Sequence, residues 1–393
     1  NLSNIYYMNV YIRIKPPECF SQKTTFVDKN EKALTLVQKK YDVKNRPVLN
    51  KNDFKFSRVF DIDYMNEDIY KHFGEEMILN FLSGSNSTFY LYGQTGSGKT
   101  HTLLGYNKEP GVLHYVLDKL TKNTTSRISS KCLKIRCYQL YYNKIYDIFS
   151  NNKHVKGYES GNDDYVIPGL EAKGVNFENY KSIVDEIITN RHVSVSSEND
   201  TSSRSHLIIE IRFINNVFRL IDLAGSEKLK SVKNNDIQEN GDINKSILAW
   251  KECIRALRRK AKYIPYRGHL LTRVLKNSFI NNASTCVLGT ISCENRNSSD
   301  SLNTLKYMQD ITLLAINKYD NKRLNYRTSP FHQSVNFTNI MDYKKKLERV
   351  KGQRDEIINN MITRMTSSES KSALVDVLNK EIHILEDMRN KMI

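Results

Sequence analysis

The sequence predicts an α/β fold, on three observations. A β-branched and aromatic run, Thr88 to Tyr92, reads as a buried strand that breaks at Gly93. The residues that follow, Gly93-Gln94-Thr95-Gly96-Ser97-Gly98-Lys99-Thr100, satisfy the phosphate-loop pattern and run into a plausible helix. A second apolar strand, Val217 to Leu223, closes on Asp222 and is followed by Gly225.

The loop has a direct physical reading. Gly93, Gly96 and Gly98 free the backbone to converge its N–H groups on phosphate oxygens. Lys99 would set a point charge on the β/γ-phosphates, and the Thr100 hydroxyl would ligate Mg²⁺. The helix start adds its partial positive charge. A glycine-rich turn matching by chance is the competing reading, and the flanking strand and helix weigh against it.

Composition bounds the rest. A chain of 393 residues can bury one large core and carry an extension. No stretch approaches the roughly 18 consecutive apolar residues of a membrane span. No signal peptide precedes the first strand, Ile5 to Ile14. Because the chain opens on Asn1 rather than Met, it is expected to be an excised part of a longer protein. Cys19, Cys132, Cys137, Cys253, Cys286 and Cys293 are scattered without a CxxC, which suits neither zinc nor a disulfide framework. Reduced, packed thiols in the cytoplasm are expected. The net charge of +17 points to a polyanionic partner. Nucleic acid, an acidic membrane surface and an acidic protein lattice all stay open on charge alone.

In chain order, the first strand ends in Arg13-Ile14-Lys15-Pro16-Pro17. On a doubly wound sheet that end lies beside the phosphate loop, where a proline ring and an arginine stem could sandwich a purine. Simple termination by proline explains it equally well. Residues 22–58 form a Lys- and Asn-rich excursion or extended hairpin holding Lys40-Tyr41-Asp42, and Phe54 to Phe60 returns to the core. Spacing predicts helices over Asn66 to Leu82, Gly111 to Leu120 and Tyr180 to Arg191. Strands are predicted at Cys132 to Tyr142 and Lys144 to Phe149, turning at Tyr142-Asn143, with a polar loop over 151–168. The octet Asn199-Asp-Thr-Ser202-Ser203-Arg204-Ser205-His206 opens a strand, Leu207 to Ile214, with a tight turn expected at Asn215-Asn216. Alone the octet is equally a solvated turn. Beside a phosphate loop and the Asp222 strand end, chance becomes a poor explanation.

Together, Gly93–Thr100, Asn199-x-x-Ser202-Ser203-Arg204-Ser205-His206 and Asp222-Leu-Ala-Gly-Ser-Glu227 resemble the ATP site of a kinesin motor domain. Ile243-Asn-Lys-Ser-Ile-Leu248 and Ile264-Pro-Tyr-Arg267 match downstream, in order. The resemblance implies a central, mostly parallel twisted sheet flanked by helices on both faces, over residues 1–317. It implies that Arg13, Lys15, Pro16 and His101 line the adenine side. Gly93, Gln94, Thr95, Gly96, Ser97, Gly98, Lys99 and Thr100 would cradle the phosphates of ATP or ADP, with Asn199 and Ser202 nearby. Thr100, Ser203 and Asp222 would hold Mg²⁺, Asp222 through water. Gly225 would sense the γ-phosphate, and Arg204 and Glu227 would pair to close both switches and position the attacking water. Such a site works by positioning and charge stabilisation.

Asp242 to Arg259 is a long helical pattern. Residues 251–276 carry nine Lys/Arg against Glu252 alone. A solvated basic face is the ordinary explanation of a charge run. The resemblance instead implies that this stretch faces tubulin, through Lys245, Lys251, Arg255, Arg258, Lys262, Arg267 and Arg273. Tubulin and microtubules are then the partner, with no nucleic acid and no membrane, and the location is the cytoskeleton, including the spindle. Lys251-Glu-Cys-Ile-Arg-Ala-Leu257 is similar to the kinesin-13 depolymerases, whose Lys-Val-Asp hairpin tip corresponds to Lys40, Tyr41 and Asp42, with tyrosine in place of valine. Gly268-His269-Leu270 departs from the usual Lys-containing stretch, and no walking-motor neck linker follows Tyr307. A polar linker is expected over 318–339 and a helical extension over 340–393, whose stripe of Leu374, Leu378, Ile382, Leu385, Met388 and Met392 suits helix packing or a coiled coil. The longer protein could dimerise. A translocating, kinesin-8-like motor, a non-catalytic microtubule binder and, more distantly, a nucleic-acid-dependent ATPase are the alternatives.

Overall fold

The computed structural model describes residues 8–17, 24–41, 46–106, 109–123, 133–160, 165–193, 203–227, 234–259, 261–279 and 284–323. Strand β1 (Met8–Lys15) leads to a three-stranded antiparallel sheet, β2 (Thr25–Val27), β3 (Ala33–Tyr41) and β4 (Pro47–Lys55), before β5 (Arg58–Phe60). Then come α1 (Asn66–Leu82), β6 (Ser87–Gly93), α2 (Lys99–Leu104), the small ribbon β7 (Gly105–Tyr106) and β8 (Glu109–Pro110), and α3 (Val112–Asn123). The middle of the chain gives β9 (Leu133–Tyr141), β10 (Lys144–Asp147), β11 (Lys153–Val155), β12 (Tyr158–Glu159), β13 (Tyr165–Val166), β14 (Lys173–Gly174) and α4 (Tyr180–Val193). The hairpin β15 (His206–Phe213) and β16 (Asn216–Asp222) precedes α5 (Asn234–Arg258), α6 (Leu270–Val274), α7 (Lys276–Phe279), β17 (Ser284–Ser292) and α8 (Ser298–Arg323).

The main sheet runs β11-β10-β9-β15-β16-β6-β17-β1-β5, with β14 on β9. It is mixed. Pairing is parallel from β16 to β5 and antiparallel from β16 outward to β11. Parallel neighbours need long crossovers, which helices supply except between β1 and β5, where the β2–β4 sheet intervenes, whereas tight turns impose antiparallel pairing on β9/β10 and β15/β16. The antiparallel share is thus larger than the sequence predicts. Tyr142 and Asn143 turn at φ 53° and 54°, the two-residue turn expected there. The next turn differs by one residue: Phe213 pairs with Asn216, so Ile214 (φ 53°) and Asn215 make the turn. Asn216 belongs to the strand because its side chain donates to the Phe81 carbonyl at 3.2 Å.

Each face of the sheet has its own core. β6 is buried along its whole length and alternates between them. Phe89 and Leu91 join the core under α1, α3 and α4, while Tyr90 and Tyr92 join the one under α5, α6 and α8. Such a doubly covered strand reads as a continuous apolar run. The predicted helix over 66–82 has those bounds in the structure. Residues 151–168, expected as loop, contain the short strands β11, β12 and β13. Phe54 to Phe60 divides between β4 and β5. Cys137, Cys253, Cys286 and Cys293 are buried free thiols. The chain separates into units of residues 1–324 and 325–393, and α8 continues past Asn317 into the stretch expected as linker. The predicted C-terminal extension lies outside the described residues. Among the described residues, no helix is long and apolar enough to cross a membrane.

Candidate nucleotide site and its output helix

The loop forms where β6 ends. Gly96 and Gly98 take φ of +73° and +99°, the left-handed region that a side chain disfavours. Gly93 is required for another reason: a Cβ there would lie 2.2 Å from the Thr290 carbonyl oxygen of β17. Ser97 Oγ, buried, meets Thr290 Oγ1 at 2.7 Å and donates to the Gln94 carbonyl, pinning the loop to the neighbouring strand. The buried Lys99 Nζ donates to the carbonyls of Gly93 and Gln94, each at 2.9 Å. Burial lowers its pKa, while Asp222 and Glu227 oppose the shift.

Thr100 and Asp222 come together across two elements. Thr100 Oγ1 donates to Asp222 Oδ2 at 2.5 Å, and Asp222 Oδ1 is buried without a hydrogen-bond partner. Burial raises the Asp222 pKa, partly offset by Lys99. A hydroxyl beside a carboxylate oxygen that lacks a donor suits Mg²⁺, which takes one or two protein ligands and completes its shell with water and phosphate. No group of three or more His, Cys, Asp or Glu side chains among the described residues could hold a metal.

The segment after Asp222 is tied to the end of β6 and to Ser203. Leu223 N–H donates to Leu91, Ser226 N–H to Gly93 at 3.1 Å, and Gly225 N–H to Ser203 at 2.8 Å. The amide expected to sense a γ-phosphate therefore ties the two switch segments together here. Glu227 accepts from Thr95 N–H at 2.8 Å and from the Thr95 hydroxyl. Asn199 and Ser202 lie outside the described residues. On the adenine side, Pro16 is exposed and His101 contacts Glu109 at 3.1 Å. Arg13 is turned inward: its guanidinium donates to Asn66 Oδ1 and Thr102 Oγ1, bracing α1 against α2. Burial lowers its pKa to about 10.

Sequence reasoning missed three supporting residues. Asn66 bridges Arg13 to the carbonyls of His101 and Pro110. Arg191, buried at the end of α4, donates to Gln139 and Ser205 and so anchors the residue next to Arg204. Ser246 receives the third contact. Ala224 N–H donates to His206 Nδ1 at 3.0 Å, which places the ring proton on Nε2, facing Ser246 Oγ at 2.8 Å. Ser246 in turn donates to Ile243 within α5. The only signal for this relay was His206 ending its motif and Ser246 lying inside another.

The basic stretch divides in two. Lys245, Lys262 and Arg267 are exposed. Lys251 instead lies over the rings of Tyr92 (5.1 Å) and Tyr307 (4.6 Å), and burial, then Arg255, lowers its pKa to about 8. Arg255 pairs with Glu252 at 2.6 Å. Arg273 is half-buried, lies over the Tyr165 ring at 5.8 Å and lines a cavity with it. The side chains of Arg258, Lys40 and Tyr41, and Asp42 altogether, lie outside the described residues. His269, the departure noted in the sequence, caps α6 and contacts Asp242 at 3.3 Å.

A strand-loop-helix phosphate cradle at a parallel sheet end, with an acidic strand end beside it, defines a phosphate-loop nucleotide-binding protein. A family model described as the Kinesin motor domain matches residues 13–313, and the chain belongs to that family. Kinesin motor domains are microtubule-stimulated ATPases. The chain is 32% identical over 290 residues to human "Kinesin-like protein KIF24", covering 71% of this chain and 21% of that protein. It is 30% identical over 349 residues to "Kinesin-like protein KIN-13B" of Arabidopsis thaliana, covering 84% and 50%. "Kinesin-like protein KIN-13A" of Oryza sativa subsp. japonica is also 30% identical, over 328 residues, with 76% and 39% covered. The chain thus spans half or less of the length of these relatives. The solved structure of a fast kinesin shares the fold, with a TM-score of 0.67 at 24% identity, covering 79% of this chain and 92% of that one.

Proposed function

We propose that the chain is a Mg²⁺-ATP-hydrolysing motor domain that engages tubulin at microtubule ends and promotes depolymerisation. The ATPase reading is supported by the loop, Lys99, and the Thr100–Asp222 pair with its donor-free carboxylate oxygen. Thr100 and Asp222 would hold Mg²⁺, with Ser203 closing from the other switch, and the ion would neutralise charge on the β- and γ-phosphates. Lys99 would exchange its loop carbonyls for phosphate oxygens. Glu227, released from Thr95 to pair with Arg204, would position the water that attacks the γ-phosphorus while the bond to ADP breaks. Departure of phosphate would shift residues 223–227, and the Ala224–His206–Ser246 relay would pass that shift to α5. Lys245, Lys262 and Arg267 are exposed cations that would face acidic tubulin, Arg267 from beside Glu159 at 3.7 Å.

The observation that carries the depolymerase reading is the β3–β4 hairpin. Its nine-residue strands pair from Ala33↔Lys55 out to Tyr41↔Pro47. Beside Lys39 and Lys40 lie Leu49 and Val48, which are 63% and 48% exposed. An apolar pair next to lysines at a hairpin end suits a protein partner better than solvent. The similarity to KIN-13 proteins points the same way. The test is end-shortening of stabilised microtubules with ATP, by the protein and by a Lys40→Ala/Asp42→Ala variant. Shortening by the parent and not by the variant is expected. Lattice-stimulated ATPase without shortening would turn the reading toward a translocating motor.

A further inference from the structure

On the sheet face that carries α5 to α7 lies a cavity of about 170 Å³ with an unbalanced charge. Arg136, Arg212, Arg219, Arg273 and Lys276 line it, against the single acid Glu210. Arg136, Glu210 and Arg219 are direct cross-strand partners on β9, β15 and β16. Glu210 is fully engaged, accepting from Arg219 Nε at 3.0 Å and from Arg212 at 2.7 and 3.1 Å. That leaves guanidinium donors over. Arg219 Nη1, Arg136 Nε and Arg273 Nε are buried without a hydrogen-bond partner. Buried N–H groups left unmatched are costly, more so on a charged group. Arg136, Arg219 and Arg273, from two strands and α6, thus line one space in which cationic charge outweighs that of Glu210.

We infer that this cavity is a second ligand site, which binds a compact multivalent oxyanion such as phosphate or a short phosphorylated molecule. Planar guanidinium forks match tetrahedral oxyanions in charge and geometry. The volume holds roughly ten waters, enough for such an ion and too little for a nucleotide. Arg219 is only 3% exposed, so a side chain docked from outside does not reach it, whereas a small ion does. The site is separate from the phosphate loop. Arg219 pairs with Thr88, at the far end of β6 from Gly93, roughly 16 Å along the strand. Its ligand would cross-link β9 and β16 to α6, on the face from which α5 is driven.

Crystals of the Mg-ADP-loaded protein soaked in tungstate, a tetrahedral dianion with strong anomalous scattering, test this directly. A peak among Arg136, Arg219 and Arg273 is expected. Calorimetric titration of the ADP-loaded protein with inorganic phosphate should show affinity falling tenfold or more in Arg136→Gln and largely retained in Arg136→Lys. A peak confined to the phosphate loop overturns the proposal, as does equal affinity in Arg136→Gln. Binding of an acidic peptide at this position without tungstate would also overturn it, in favour of a protein contact. Should Arg136→Gln fail to fold, the soak of the unaltered protein decides.

Discussion

Lys99→Ala should lower the rate of ATP hydrolysis by roughly 10²- to 10³-fold, the scale on which a preorganised charge-stabilising donor contributes. The expectation rests on position as much as charge. Lys99 Nζ is buried and already held at the loop by two of its carbonyls, which it would exchange for phosphate oxygens. Burial lowers its pKa, and the nearby carboxylates of Asp222 and Glu227 oppose that shift. Phosphate release under saturating ATP, with and without microtubules, measures the effect. A variant that hydrolyses ATP within a few-fold of the parent would remove Lys99 from the mechanism, and with it the ATPase reading of this loop.

The largest effect on stability is expected from Glu210→Ala. It strips the carboxylate from the buried Arg219–Glu210 pair, and breaking such a pair costs about 3–5 kcal/mol. The pH dependence follows from the same contacts. Burial raises the Glu210 pKa, but the charges of Arg219 and Arg212 and their hydrogen bonds outweigh it and leave the carboxyl at about 2. A folded pKa below the unfolded value of about 4.3 gives stability that is present above that value. It is lost as pH falls towards 2. His206 adds an earlier component, because burial, then His269, lowers it to about 3. Its neutral form is favoured in the fold, so its contribution erodes below roughly pH 6.5. Denaturant titrations at several pH values should show the Glu210→Ala variant missing the step below about pH 4.3 while keeping the one above it. An unchanged midpoint at neutral pH would contradict the ion-pair account.

The nucleotide site was legible because its chemistry is written in contiguous residues. The loop, its lysine and the Asp222 strand end each need fixed residue types at fixed spacing, whatever surrounds them. Helix α1 was equally legible, since Ile69, Phe73, Met77 and Phe81 repeat at helical period on one face. What stayed hidden depends on contacts between distant residues. Arg13, expected as part of an open purine wall, is consumed by Asn66 and Thr102, and no local pattern announces that pairing. Lys251 and Arg273 belong to a run of cations whose charge is visible in sequence but whose direction is not. One lies over two tyrosines and the other lines a cavity. The turn at Ile214 was misplaced by one residue because Asn216 is claimed by α1, a tertiary contact overriding the turn preference of Asn-Asn.

The aromatic packing of α5 gives the protein an optical handle. Trp250 is its single tryptophan, four residues beyond the Ser246 end of the histidine relay. It is fully buried, stacked 5.6 Å from Tyr92 and tilted 5.4 Å from Tyr90, the two rings that lead into the phosphate loop. Its indole N–H has no hydrogen-bond partner, so its emission depends on small changes around the ring. Any sliding of α5 against β6 must alter that stack. Intrinsic fluorescence excited at the indole therefore reports helix movement without a label, and stopped-flow traces on mixing with ATP or ADP should resolve it. Emission unaltered between the two nucleotides would mean that α5 and β6 move as one block.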